Sequence, residues 1–140
     1  MEIDPTALVS FASELIRIDS RNPWLVEGGA GEARVASMLA DRARAIPGAE
    51  VAVELVAPNR PNVLVRIKGT GQGRTLCLNA HVDTVGDAAW PDRAMKPVAR
   101  GDRLFGLGAA DDKGHCAAVL LALDAIGRGG HRLAGDIVGA

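Results

Sequence analysis

The sequence has few aromatic residues and almost no excess charge, and both shortages bear on function. Aromatic residues make up 3% of the 140 residues, and the formal net charge is −1 at pH 7. A chain without a basic surface and without aromatic rings for base stacking is poorly suited to bind a nucleic acid. We therefore expect no nucleic-acid partner.

Long apolar runs and cysteines are also scarce. No apolar run reaches the roughly 20 residues that a membrane-spanning helix needs. Residues 1–5 lack both the basic and the apolar part of a secretory signal. The two cysteines, Cys77 and Cys116, are too few for a disulfide framework and lie in apolar sequence. We expect no membrane partner, a cytoplasmic protein and two buried, reduced thiols.

The apolar residues that are present follow an alternating helix and strand pattern. They recur at helical spacing in three segments, residues 5–18, 32–45 and 113–126. Runs rich in β-branched residues predict strands at 51–56, 63–67, 75–80 and from 135 onward. We expect the first two strands to be antiparallel, the third to be the most buried, and Gly127 to stop the third helix. The pattern is that of one α/β domain.

Polar residues cluster at both ends of a long segment that is rich in Gly, Pro, Asp and Arg, residues 82–113. A loop of this length inside a compact domain is usually functional. His81 and Asp83 stand at its start, and Asp111 and Asp112 stand at its end. On an extended backbone, side chains two residues apart share a face, and open α/β sheets bind ligands at the carboxyl ends of strands. We expect these four side chains to converge.

One histidine and several carboxylates form a ligand set for zinc, cobalt or manganese. A carboxylate two residues from a histidine ligand can also orient its ring. Each half of this set also has a purely structural explanation. His81 alone could be a hydrogen-bonded histidine at a strand end, and Asp111 with Asp112 could cap the third helix. The two halves together favour a metal site.

Two motifs make a resemblance specific. Residues 81–85 read His-Val-Asp-Thr-Val, similar to His-x-Asp-x-Val, and residues 106–114 read Gly-Leu-Gly-Ala-Ala-Asp-Asp-Lys-Gly, similar to Gly-(Arg/Leu)-Gly-x-x-Asp-(Met/Asp)-Lys-Gly. With these motifs in this order, the chain resembles the N-terminal part of one family of co-catalytic zinc hydrolases. That family includes acetylornithine deacetylase, succinyl-diaminopimelate desuccinylase, aminoacylase and glutamate carboxypeptidase. Gly86 departs from the family pattern, in which a proline commonly follows the first motif.

The resemblance implies a fold and a domain organisation. The expected fold is a three-layer helix–sheet–helix α/β domain of the zinc-peptidase type, with a mixed sheet that is incomplete at its C-terminus. Residues 1–140 would form the N-terminal portion of the metal-binding catalytic domain. The last predicted strand begins close to Ala140, so we expect the chain to be the first part of a longer protein. The remaining catalytic half and a dimerisation domain would lie outside it, and the full-length protein would form a homodimer.

The resemblance also implies residue roles. His81 and Asp111 would be metal ligands, with Asp111 bridging two divalent ions, zinc first and cobalt or manganese as alternatives. Asp83 would be the catalytic residue that orients His81, and the peptide between Asp111 and Asp112 would be cis. The implied reaction is hydrolysis of an amide bond in an N-acyl amino acid or a small peptide. Its general base would be a Glu after the strand that starts at Gly135.

Two direct ligands are fewer than the roughly three protein ligands of a catalytic zinc. We therefore expect the 140 residues alone to bind metal weakly and to hydrolyse nothing. The alternative is a truncated relative that acts as a binding or regulatory module. A nucleotide-binding turn at residues 106–108 is disfavoured, because Asp111 stands where the third glycine would be and would repel a pyrophosphate. His115 is not expected to be a ligand.

Overall fold

The computed structural model describes residues 3–140, and its first helix begins at the predicted start. Helix α1 spans Pro5–Ile16, and the Asp4 carboxylate caps it by accepting a hydrogen bond from the Thr6 N–H at 2.8 Å. Helix α2 spans Ala33–Arg44. Each helix lies within the predicted range, and α1 ends two residues earlier than expected.

The first strands form the predicted antiparallel hairpin. Strand β1, Ala49–Ala57, pairs with strand β2, Arg60–Ile67. The turn between them is tight enough to place Asn59 in the left-handed region, at φ 59°. Asparagine tolerates this conformation better than most residues do, so the local sequence suits the turn.

Strand β3, Leu76–Leu78, is shorter and more exposed than predicted. The expectation that it is the most buried strand is wrong, since 53% of Leu76 is exposed. β3 lies at one edge of its sheet, so it has a neighbouring strand on one side only. Cys77 is exposed on the same strand, so the expectation of two buried thiols is correct only for Cys116.

The long segment after β3 contains short elements of its own. A one-turn helix α3, Pro91–Ala94, is followed by strands β4, Val98–Arg100, and β5, Arg103–Phe105, which pair as an antiparallel hairpin. Neither α3 nor β4 was predicted from the sequence. The hairpin forms a separate two-stranded sheet.

Helix α4, Lys113–Arg128, runs past the predicted stop at Gly127. A Cβ atom at Gly127 would come within 2.7 Å of the Ile46 side chain and of the Pro47 carbonyl oxygen. The glycine therefore allows α4 to pack closely on the segment after α2, and it does not end the helix. The C-cap is Gly129.

Strand β6, Ile137–Gly139, completes a four-stranded mixed sheet in the order β1-β2-β6-β3. It is antiparallel to β2 and parallel to β3. Helix α2 packs on β1 and β2, α4 packs on β6, and α1 packs on α4. The α/β class with a mixed sheet is confirmed.

The three long helices and β2 bury one continuous apolar core. The large side chains that it encloses almost completely include Phe11, Leu15, Val35 and Leu123. Among the described residues, no helix is both long enough and apolar enough to cross a membrane.

Candidate metal centre

His81 follows β3, and hydrogen bonds hold its backbone on both sides. The Ala80 N–H donates to the Ala140 carbonyl at 3.0 Å, which prolongs the pairing with β6. The His81 N–H donates to Asp112 Oδ2 at 3.2 Å, and the Cys116 thiol donates to the His81 carbonyl at 3.2 Å. The end of β3 is thereby fixed to the first turn of α4.

The His81 ring lies between two carboxylates, one from each predicted motif. Nδ1 is 3.1 Å from Asp83 Oδ1, and Nε2 is 2.7 Å from Asp111 Oδ1. Burial alone would lower the pKa of His81, but the hydrogen bond to Asp111 and the charge of Asp83 outweigh it, and the pKa is raised. The structure therefore brings the predicted ligands and the predicted orienting residue together.

Asp83 is supported from behind by a polar network. Its Oδ2 accepts a hydrogen bond from Asn22 Nδ2 at 2.7 Å and lies 3.8 Å from the Arg60 guanidinium. Arg60 binds the buried Glu32 carboxylate at 3.0 to 3.1 Å and lies over the Trp24 ring, 3.9 Å from its centroid. None of these supporting residues was predicted from the sequence. The Asn22–Asp83 contact joins positions 61 residues apart and has no local signal.

The loop after α1 is attached to the segment that carries Asp83. Two backbone hydrogen bonds join residues 20–22 to Thr84, at 2.9 and 3.0 Å. Arg21 binds Asp19 at 2.8 Å and Asp87 at 2.9 Å. The Arg21 hydrogen bond lowers the pKa of Asp19 despite the opposing effect of burial. The loop is thus positioned to hold Asp83 in place.

Asp111 and Asp112 precede α4, and the peptide bond between them is cis, as the resemblance implies. Asp112 is the N-cap residue but makes no side-chain cap hydrogen bond. Its carboxylate instead binds the His81 N–H and the ring of His115. The plain reading of this pair as a helix cap is therefore incomplete, because Asp112 also links α4 to β3.

Two buried polar groups lie next to the candidate ligands on α4. Lys113 Nζ donates to the Ile18 carbonyl at 2.6 Å, and burial lowers its pKa to about 8. Burial raises the pKa of the Cys116 thiol to about 12. Cys116 is therefore a neutral thiol in this structure, and its proton is directed to the His81 carbonyl.

The donor set of His81 and Asp111 fits part of a metal centre. An imidazole nitrogen and a carboxylate oxygen converge at the sheet edge, where 52% of the His81 side chain and 83% of the Asp111 side chain are exposed. Both donor types suit divalent zinc, cobalt or manganese. Within residues 3–140, no group of three or more His, Cys, Asp or Glu side chains is arranged to hold a metal ion. The two residues therefore fit as two ligands among several.

The sequence matches known proteins over part of its length. Residues 77–140 match peptidase family M20/M25/M40. N-formyl-4-amino-5-aminomethyl-2-methylpyrimidine deformylase from Bacillus subtilis is 35% identical over 88 residues, which cover 59% of this chain and 21% of that protein. Succinyl-diaminopimelate desuccinylase from Alkalilimnicola ehrlichii is 39% identical over 69 residues, 47% of this chain and 18% of that protein. The matched part thus spans only about a fifth of these relatives.

Solved structures share the fold over nearly the whole chain. Human carnosine dipeptidase 1 superposes with a TM-score of 0.74 at 22% identity, covering 94% of this chain and 30% of its own. A metallo-carboxypeptidase of the M20 family from Sulfolobus solfataricus gives 0.75 at 18% identity, with 98% and 30% covered. A tripeptidase from Staphylococcus aureus gives 0.73 at 25% identity, with 98% and 36% covered. The predicted zinc-peptidase-like fold is confirmed.

Proposed function

Since the chain is related over residues 77–140 to peptidase family M20/M25/M40, we propose that it supplies half of a metal centre that hydrolyses an amide bond. One observation carries this proposal. His81 Nε2 and Asp111 Oδ1, which belong to motifs 30 residues apart, lie 2.7 Å from each other at the sheet edge. Relatives named deformylase and desuccinylase, and structural neighbours named peptidases, support an amide as the bond that is cleaved.

In this proposal His81 Nε2 and the Asp111 carboxylate would be ligands of a centre that holds two divalent metal ions. Zinc is the first choice, and cobalt and manganese are alternatives. Bound metal would polarise the scissile carbonyl and lower the pKa of a water molecule. With its proton on Nδ1, His81 would donate a hydrogen bond to Asp83 and present the Nε2 lone pair to the metal.

The proposed substrate is an N-acyl amino acid or a small peptide. We propose that the whole protein is a homodimeric, cytoplasmic enzyme, and its two free cysteines are compatible with a reducing compartment. The chain by itself would be inactive, because His81 and Asp111 are two ligands where a catalytic zinc needs about three. A general base would also have to come from outside the described site.

Cobalt binding tests the metal centre directly. We expect the 140-residue chain to bind Co²⁺ weakly, with a visible absorption band, and His81→Gln and Asp111→Asn each to weaken binding by about tenfold or more. His131→Gln is the matched control, because His131 is an exposed histidine distant in sequence from both motifs. Equal affinity in all four chains would refute the site, and would favour the alternative of a binding or regulatory module.

Turnover tests the proposed incompleteness. We expect the 140-residue chain, mixed with Zn²⁺ or Co²⁺ and an N-acetyl amino acid, to release no amine above the metal-only background. Metal-dependent release that His81→Gln abolishes would show that the 140 residues are already a complete enzyme.

A further inference from the structure

The side chain of Asn22 is held in a single orientation. Only 7% of the residue is exposed. Its Oδ1 accepts a hydrogen bond from the Trp24 N–H at 2.9 Å, and its Nδ2 donates to Asp83 Oδ2 at 2.7 Å. A backbone N–H can only donate and a carboxylate can only accept, so the amide cannot be flipped without losing both bonds.

Asn22 is also the group that sets the rotation of the Asp83 carboxylate. Arg60 is 3.8 Å from Asp83 Oδ2, beyond hydrogen-bond distance, and its charge is directed to Glu32. With Oδ2 held by Asn22, the other oxygen of Asp83 faces His81 Nδ1 at 3.1 Å. A carboxylate oxygen at this position favours a proton on Nδ1.

We propose that Asn22 is a positioning residue for the metal centre, which acts through Asp83 to keep the Nε2 lone pair of His81 available to a metal. The inference rests on the function proposed above and extends it to a residue outside both motifs. The chain of contacts runs from the Trp24 N–H through Asn22 and Asp83 to the ring of His81. Each link has a defined donor and a defined acceptor, so the polarity of the chain can be reversed by substitution.

Asp83→Asn should weaken metal binding, because it reverses the direction of the hydrogen bond between residue 83 and His81 Nδ1. The Asn22 donor would select the amide oxygen at position 83, which turns the new NH₂ group toward His81 Nδ1. Nδ1 would then have only the backbone carbonyl of residue 83, also 3.1 Å away, as an acceptor. The proton on Nδ1 would be less favoured, and more of the rings would carry it on Nε2, where it competes with metal. Asn22→Asp alone keeps an acceptor for the Trp24 N–H but places two carboxylates against each other.

The double variant Asn22→Asp/Asp83→Asn restores the polarity. The carboxylate at position 22 accepts from the amide NH₂ at position 83, and the amide oxygen there faces Nδ1 again. We therefore expect the double variant to bind Co²⁺ about tenfold more tightly than Asp83→Asn, whereas Asn22→Asp alone binds about tenfold more weakly than the unsubstituted chain. Losses that simply multiply in the double variant would overturn the proposal.

Asn62→Asp is the matched control, because Asn62 is an exposed asparagine on β2 that lines the same groove as Asp83. We expect it to leave Co²⁺ affinity unchanged. Thermal unfolding of every variant separates a loss of fold from a loss of orientation. If Asn22→Asp does not fold, the comparison of Asp83→Asn with the double variant still decides the question.

The ring proton itself gives a readout that needs no metal. In nitrogen-15 histidine spectra at alkaline pH, where the ring is neutral, we expect Asp83→Asn to move the His81 proton toward Nε2 and the double variant to move it back toward Nδ1. An unchanged tautomer across the set would refute the role of Asn22. If the unsubstituted chain binds no Co²⁺ but the tautomer follows the substitutions, the proposed metal centre fails and the positioning role stands.

Discussion

The two carboxylates that flank the His81 ring stand in opposite surroundings. Asp83 is mostly buried. Its Oδ2 accepts a hydrogen bond from Asn22 and lies 3.8 Å from Arg60, which is paired with Glu32. The Asp111 side chain is 83% exposed, and its hydrogen bond goes to His81. The difference separates two tasks. A residue that orients a ligand needs a rigid support, whereas a residue that binds metal needs a free face.

The largest expected loss of stability comes from breaking the buried Glu32–Arg60 ion pair, which lies beside Asp83. Glu32→Ala should lower the free energy of unfolding by about 3 kcal/mol, because it removes the hydrogen-bonded counter-charge of the mostly buried Arg60 guanidinium and leaves only Asp83, 3.8 Å away. Urea unfolding measures the loss. Glu14→Ala is the matched control, since the Glu14–Arg42 pair has a 2.8 Å contact but is exposed, and it should cost less than about 1 kcal/mol. Equal losses would mean that the buried pair supports no more than a surface pair does.

A smaller effect is expected in the loop that carries Asn22. The pKa of Asp19 is lowered in the folded chain by its hydrogen bonds to Arg21, so Asp19 stabilises the fold above its unfolded pKa, near 3.9. That contribution disappears as the pH falls through the lower folded pKa. Asp19→Asn should therefore cost about 1 to 2 kcal/mol at neutral pH and flatten the acid side of the stability profile.

The control for this profile is Asp102→Asn, because the Asp102 side chain is 96% exposed. Its stability should follow that of the unsubstituted chain at every pH. An Asp19→Asn profile parallel to the unsubstituted one, measured by urea unfolding from neutral to acid pH, would show that Asp19 does not titrate with folding.

The smallest effect on stability is expected from substituting Asp111, the exposed carboxylate beside His81. Asp111→Asn should change the free energy of unfolding by less than about 0.5 kcal/mol, because the side chain is exposed and leaves no cavity. The same substitution is expected to weaken Co²⁺ binding. A destabilisation as large as that of Glu32→Ala would show that Asp111 is a structural residue. The contrast between the supported Asp83 and the free Asp111 would then disappear.

Local signals in the sequence predicted the elements that depend on local chemistry. Apolar residues at helical spacing located α1, and runs rich in β-branched residues located the hairpin of β1 and β2. The burial of β3 could not be predicted in this way, because it depends on which strands lie beside it in the sheet. β4 was missed because three exposed residues carry no apolar pattern.

The same limit applies to the candidate site. His81, Asp83 and Asp111 could be proposed because they lie in two short motifs, each of which is read along the chain. The donor from Asn22 is 61 positions away from its acceptor, and nothing in the residues near Asn22 indicates it. The side chains expected to bind metal could therefore be predicted from the sequence. The side chains that hold them in position could be identified only from the folded structure.

The place of β6 in the sheet has a consequence for the order of folding. Because β6 lies between β2 and β3, the β1–β2 hairpin and β3 have no strand contact with each other until residues 137–139 are inserted between them. On the ribosome, the helices and the hairpin can form early, but these four strands join into one sheet only after residues 137–139 have emerged. Until then β2 and β3 both expose unpaired strand edges, and His81 is not yet held at its final position. A chaperone that shields these edges during synthesis should raise the yield of folded chain.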